Sequence, residues 1–227
     1  MSRSYTIASE SSVIVYFGST IDPLISQEVQ KAYQALKSEA YEGFYEIIPS
    51  YASLMVSYDV MRFDFDAVCE IIETCIHHAE AITMDEPKIV TIPVYYGLEV
   101  GLDLELLSEE KNLSVEEIIA LHTKELYSVY AIGFAPGFAY LGEIDERLAT
   151  SRLASPRKAV PKGSVAIADR QSAVYPTQSP GGWKVLGRTP IAMFDASYDG
   201  LSLLHVGDHV RYEAISKEEF LRLGGAL

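Results

Sequence analysis

From Pro87 onward the chain is a succession of short β-runs broken by Gly and Pro: IVTIPVYYG, YSVYAIGF, SVAIAD, SAVYP, WKVLG, PIAMF and LLHVGDHVRYEAI. A short strand alone leaves its backbone donors and acceptors without partners. Many of them with this punctuation therefore predict a barrel or a sandwich. One helix is expected to interrupt the series, where Ser114 and Glu117 form a capping box ahead of Ile118, Ile119 and Leu121. A second Ser-x-x-Glu, Ser216 to Glu219, opens a short helix near the C-terminus.

Residues before Pro87 follow a different pattern. The apolar run Val13 to Phe17 reads as a strand ended by Gly18. Asp22 and Pro23 supply a helix N-cap and a first-turn proline ahead of Leu24, Ile25, Val29, Ala32, Tyr33 and Leu36, and this helix is expected to stop near Gly43. Tyr45 to Tyr58 reads as two strands or one bent strand around Pro49-Ser50. From Asp64 a second helix carries Val68, Ile71, Ile72, Cys75, Ile76 and Ala79 inward and leaves Glu70, Glu73 and Glu80 for solvent. The boundary is expected near Asp85-Glu86-Pro87. The expected class is α+β, with a small α/β domain over 1–86 and a β-barrel over 87–227.

The formal charge of −14 argues against a surface built to grip phosphate backbones, so nucleic acid is an unsuitable partner. No run of residues approaches the roughly 18 to 20 apolar positions that span a bilayer, and the opening MSRSYTIASESSVIVYFGS lacks the apolar stretch of a signal peptide. The expectation is a cytoplasmic protein with no membrane partner. Cys69 and Cys75, six apart on a helix, match no metal or redox spacing and read as core thiols. His77 and His78 cannot share a helix face, and His205 and His209 bracket a turn, so no metal site is assigned.

Three segments concentrate unusual chemistry. Gly133-Phe134-Ala135-Pro136-Gly137-Phe138-Ala139-Tyr140-Leu141-Gly142 alternates aromatics with Gly and Pro immediately after a strand. Such a loop brings backbone close to whatever it covers and offers flat apolar walls; its plainer reading is a corner that packs two Phe rings into the barrel. Ser155 to Gly163 gathers Arg157, Lys158 and Lys162 in an otherwise acidic chain, which suits a carboxylate or phosphate or, more plainly, a solvated loop. Gln178-Ser179-Pro180-Gly181-Gly182-Trp183 continues to Leu186-Gly187-Arg188-Thr189-Pro190, where Gly182 to Thr189 imitates a P-loop with Arg in place of Lys. A P-loop needs a helix N-terminus behind it. Pro190 and the strand-like Ile191-Ala192-Met193-Phe194 follow instead, which rules that reading out. His122 falls at the end of the capped helix: either a helix-end cap, or a general acid/base or substrate hydrogen-bonding group at the barrel rim.

In order, GFAPGFAYLG, SPRKAVPKGSVAIAD, AVYPTQSPGGW and LGRTP resemble the family that includes the B subunit of 5-oxoprolinase, the KipI sporulation-kinase inhibitor and allophanate hydrolase subunit 1. That resemblance covers nearly the whole sequence. It implies a cyclophilin-like β-barrel behind a small α/β domain, without implying prolyl isomerase activity. It further implies partners resembling the C and A subunits of 5-oxoprolinase, with ATP as a co-substrate of the complex, and opening of the 5-oxo-L-proline lactam to L-glutamate.

On that reading Arg157 is the first choice for the substrate carboxylate and Lys162 the second, with His122 and Arg157 as the catalytic candidates. Backbone around Gly133 to Gly137 and at Gly181-Gly182 would face a developing oxyanion. Phe134, Pro136, Phe138, Tyr140, Gln178 and Trp183 would line the substrate. Two other roles belong to the same family: a KipI-like inhibitor of a histidine kinase, and a carboxyltransferase component of urea or allophanate metabolism.

Overall fold

The structure is a computed structural model that describes residues 3–79, 86–197 and 200–227. The chain divides into two compact units, Met1–Glu86 and Pro87–Leu227. Asp85, which the sequence places at the boundary, and Glu80, which it places on the solvent side of a helix, lie outside the described residues.

The first unit runs β1 (Ser4–Ser9), β2 (Ser12–Tyr16), α1 (Pro23–Glu39), β3 (Phe44–Ser50), β4 (Ser53–Tyr58) and α2 (Phe65–Ala79). Its four strands form an antiparallel sheet in the order β1-β2-β4-β3. Val13, Val15, Leu54 and Val56 alternate along β2 and β4 and are fully buried with Val29, Leu36, Val68 and Ile72 of the helices. Period 2 on the strands thus meets period 3.6 on the helices in one core. The Asp22 carboxylate accepts from the Leu24 and Ile25 amides at 2.7 and 3.3 Å, the expected cap.

Tyr45 to Tyr58 resolves into two strands with a turn at Tyr51-Ala52. The first helix stops at Glu39, short of the expected Gly43, because Ala40 takes a left-handed φ of 47°. Of the two thiols, Cys75 is buried and Cys69 only half-buried. Glu73 is not a purely solvent-facing residue. It accepts from Arg3 Nη1 at 2.9 Å and the Tyr5 hydroxyl at 2.8 Å, tying α2 to the start of the sheet.

The second unit contains β5 (Ile89–Val94), α3 (Leu104–Lys111), α4 (Val115–Lys124), β6 (Leu126–Ile132), β7 (Ala139–Gly142), β8 (Arg157–Val160), β9 (Ser164–Ala168), β10 (Gln171–Val174), β11 (Ser179–Gly181), β12 (Lys184–Arg188), β13 (His209–Ala214) and α5 (Lys217–Arg222). Seven of the strands form one sheet in the order β12-β9-β10-β7-β6-β13-β5. Its neighbours pair antiparallel except β13 and β5, which run parallel. Tyr95, just after β5, exchanges two backbone hydrogen bonds of 2.9 Å with Arg188 at the end of β12, so the two edges meet and the sheet curls into a nearly closed barrel. The α+β class and the barrel read from the sequence both hold.

Three local expectations fail. PIAMF is not a strand; it forms an irregular connection held by a single bridge from Phe194 to Ser202. Of LLHVGDHVRYEAI only His209–Ala214 enters the sheet. Two helices, α3 and α4, interrupt the strands rather than one. Both capping signals are real: the Ser114 hydroxyl accepts from the Glu117 amide, the Glu117 carboxylate accepts from the Ser114 amide, and Ser216 caps α5.

Strand β9 is buried on both faces, as expected for a strand covered twice. Val165 and Ile167 point into the main core with Leu141, Ile92 and Tyr212. Ala166 and Ala168 point the other way, with Ala173, and their small side chains leave room for an outer layer of Phe138, Tyr175, Trp183, Val160 and Val185. The two-stranded β8–β11 ribbon carries Val160 of that layer.

Candidate functional site

The outer layer is where the three unusual segments converge. Phe138 meets Trp183 edge-on at 5.9 Å, Tyr140 at 5.0 Å and Tyr175 at 5.4 Å, and Tyr140 meets Trp183 at 6.0 Å. Such edge-to-face contacts add to the burial of the rings themselves and fix their angles. In the ribbon Gly181 pairs with Arg157, and Leu153 N donates to Gly182 O at 2.7 Å. The Gly/Phe loop, the basic segment and the Gly-Gly-Trp turn therefore form one rim over the aromatic layer. Arg152 places its guanidinium 5.9 Å from the Trp183 ring centre.

The glycines of the rim have different duties. Gly137 has a φ of 80°, and a β-carbon there would lie 2.7 Å from Met193 O. At Gly181 a β-carbon would fall 2.2 Å from the Tyr175 hydroxyl. Both positions exclude side chains because the chain passes so close to its neighbours. Gly133 and Gly182 are uncrowded. Gly182 to Thr189 runs into strand β12 rather than into a helix, so the P-loop imitation has no phosphate-cradling geometry.

Arg157 does not stand free to receive a substrate carboxylate. Its Nη1 and Nη2 donate to the two oxygens of Asp103 at 2.8 and 2.7 Å, a bidentate pair in which the Asp103 side chain is 3% exposed. Asp103 Oδ2 also accepts from the Val185 amide at 2.8 Å. One carboxylate thus joins the entry of α3, β8 and β12. Lys184, buried, donates to Glu110 and to Thr150 Oγ1, a second link from β12 to α3. Lys162, Lys158, Pro136 and Gln178 are exposed on the rim segments.

His122 is not at the rim. Its side chain is fully buried on the core side of the sheet. Nδ1 shares a hydrogen with the Tyr96 hydroxyl at 2.8 Å, Nε2 with Ser172 Oγ at 3.1 Å, and Ser172 Oγ with the Tyr212 hydroxyl at 3.0 Å. The ring stacks on Tyr212 at 4.6 Å, while the Tyr127 hydroxyl donates to the His122 carbonyl at 2.7 Å. Burial lowers the imidazole pKa to about 3, so the ring is neutral at ordinary pH, one nitrogen donating and the other accepting. The same burial raises the pKa of Tyr96 and Tyr212. The role as a rim acid/base is corrected to that of a buried polar knot.

Asp103, Tyr96, Ser172, Tyr212 and Lys184 do not stand out in the sequence. Only Asp103 carries a usable signal, an acidic residue one position before a Leu-x-x-Leu spacing. Among the described residues no group of three or more His, Cys, Asp and Glu is placed to hold a metal ion, and no helix is long and apolar enough to cross a membrane. A cleft of about 720 Å³ opens in the first unit beside Ser4, Tyr16, Ser50 and Ser53, and none of the motif residues lines it.

Residues 4–204 match the model of the carboxyltransferase domain, subdomain C and D. The chain belongs to this carboxyltransferase family. Within it, the chain is 37% identical over 221 residues to the B subunit of 5-oxoprolinase from Bacillus subtilis (strain 168), covering 93% of this chain and 92% of that protein. The protein of the same name from Escherichia coli O157:H7 is 43% identical over 127 residues, 56% of this chain and 58% of that one.

The crystal structure of TTHA0988 shares the carboxyltransferase fold with a TM-score of 0.81 at 32% identity, over 90% of this chain. This chain spans only 40% of that longer one. The urea carboxylase of Kluyveromyces lactis shares the fold at 16% identity and a TM-score of 0.76, over 97% of this chain and 22% of that one.

Proposed function

We propose that this carboxyltransferase-family chain is the B component of an ATP-dependent 5-oxoprolinase that opens 5-oxo-L-proline to L-glutamate. It works beside partners resembling the C and A subunits and is inactive alone. The observation that carries this reading is the near end-to-end match to the Bacillus subtilis protein. The rim geometry is compatible with it, since backbone amides, aromatic walls and cations converge on one surface.

The lactam is an unactivated amide, and phosphorylation of its oxygen by ATP gives an imidate-like species that water can attack. With the Gly182–Thr189 run folded as a strand, nucleotide binding is assigned to the other components. Arg157 orders the rim through Asp103, which leaves Lys162 as the first choice for the substrate carboxylate. The Gly133 amide is already given to Phe138 O, so the amides of Gly137 and Gly182 are the ones left to face the developing oxyanion. Tyr140, half-buried, offers the apolar wall, seated on the buried Phe138 and Trp183, and His122 supports the barrel rather than the chemistry.

The test measures glutamate formed from 5-oxo-L-proline and ATP by this chain alone, by its C-like and A-like partners without it, and by all three. Turnover confined to the full mixture is expected. Equal turnover without this chain overturns the reading and favours the second one, a carboxyltransferase component, for which the shared fold of the urea carboxylase speaks.

A further inference from the structure

Phe134 stands out of the rim in a way that its own fold does not require. It is 65% exposed, while the other phenylalanine of the same loop, Phe138, is 2% exposed. Its φ of 71° lies in the left-handed region that a residue with a branched or bulky side chain seldom enters. The loop that holds it is rigid: Gly133 N donates to Phe138 O at 3.0 Å, Phe138 N donates to Ala135 O at 2.9 Å, and Gly137 is wedged against Met193. The Phe134 ring leans edge-on against Phe138 at 5.2 Å, and Phe138 is locked in turn by Tyr140, Tyr175 and Trp183.

A large apolar ring kept ordered, strained and in water loses little further freedom when something covers it. Association surfaces use such a group as an anchor. The surroundings specify the partner. Arg152 flanks the aromatic layer at Trp183, and Lys158 is exposed on β8. On the Gly137 side, Lys162 acts electrostatically on Asp195, next to Phe194. Asp195 offsets Lys162 there, so the excess of cations that the rim segments carry in a chain of net charge −14 comes from Arg152 and Lys158, and it complements an apolar pocket ringed by carboxylates. The related TTHA0988 chain carries this fold as 40% of its length, so there the fold works beside further protein.

We propose that Phe134 is the docking anchor of this chain, inserting into an acid-rimmed apolar pocket of the C-like partner. That partner thereby covers the rim. The identity of the partner rests on the 5-oxoprolinase reading, whereas the anchor itself rests on geometry.

The test is titration calorimetry of the purified chain with the C-like partner, together with thermal unfolding of each variant. Phe134→Gly removes the ring and relieves the positive φ. It is expected to unfold no lower than the parent, yet to bind roughly 30-fold or more weakly. Phe134→Leu should recover part of the affinity, and Met61→Ala, which alters a 90% exposed residue of the first unit, should not change it.

Parent-like affinity in Phe134→Gly overturns the proposal, as does failure of the parent to bind the C-like partner. Intact binding with lost turnover also overturns it and makes Phe134 a ligand contact instead. Binding that depends on Phe134 in an assembly that makes no glutamate supports the anchor and removes only the oxoprolinase assignment.

Discussion

Packed between the Tyr212 ring and the Tyr96 hydroxyl, the His122 imidazole is held neutral because a charge there would have no solvation. Its pKa in the fold, about 3, lies below the ordinary 6.5, so the stability it contributes is complete above pH 6.5 and is lost as the pH falls toward 3. In that window the loss approaches about 1.4 kcal/mol per pH unit. His122→Gln leaves Tyr96 and Ser172 with poorer partners and is expected to cost about 1–3 kcal/mol at pH 7.5. The gap between parent and variant should then narrow from pH 6.5 to 4.5 in urea unfolding, and a constant gap would show that His122 does not titrate as a buried neutral group. The sequence reveals the capped helix that delivers this histidine. It does not reveal the three side chains that enclose the ring, because Tyr96, Ser172 and Tyr212 reach it from three separate strand regions.

The ribbon of β8 and β11 is fastened by the Arg157–Asp103 pair rather than by a broad apolar face. Removing one member of a buried pair strands the other, so Arg157→Ala is expected to lose about 3–5 kcal/mol. Asp103→Ala should lose a comparable amount, since it also deprives the Val185 amide. The double variant should be clearly more stable than the sum of the two losses implies, measured as a double-mutant cycle by chemical denaturation; simple additivity would show that the two side chains do not depend on each other. Sequence reading finds Arg157 but gives it a substrate, because its carboxylate partner sits far back in the chain at the entry of a helix that only a single Leu-x-x-Leu spacing announces. Helix α3 has eight residues with only Leu104 and Leu107 buried, too few turns to establish a helical period. PIAMF misleads in the opposite direction: a short apolar run bounded by proline reads the same whether it pairs as a strand or packs as a loop.

Across the whole molecule the apolar side chains sort into cores that belong to one unit or the other. Leu54 lies with Val13, Val56 and the two helices of the first unit, Leu141 with Ile92, Ile167 and Tyr212 of the second. Leu54→Ala and Leu141→Ala should each cost about 2–5 kcal/mol. Their losses should add to within about 0.5 kcal/mol in a double variant followed by denaturant unfolding, and a larger departure would mean that the cores are coupled. The change from helix-strand alternation to short β-runs near Pro87 is legible in the sequence. The parallel pairing of β5 with β13 is not, since nothing local in either strand names its neighbour.

That pairing also sets an order of events. His209 lies beside Ile89 although nearly the entire second unit separates them along the chain. During synthesis β5 leaves the ribosome at the start of its unit and must wait for the last strand before its ladder can form. Contacts between such distant positions are slow to find. The first unit, whose strands pair with near neighbours, can be complete while the barrel is still an open sheet with raw edges. The nascent chain is therefore most exposed to misassociation in the interval before its final strand arrives.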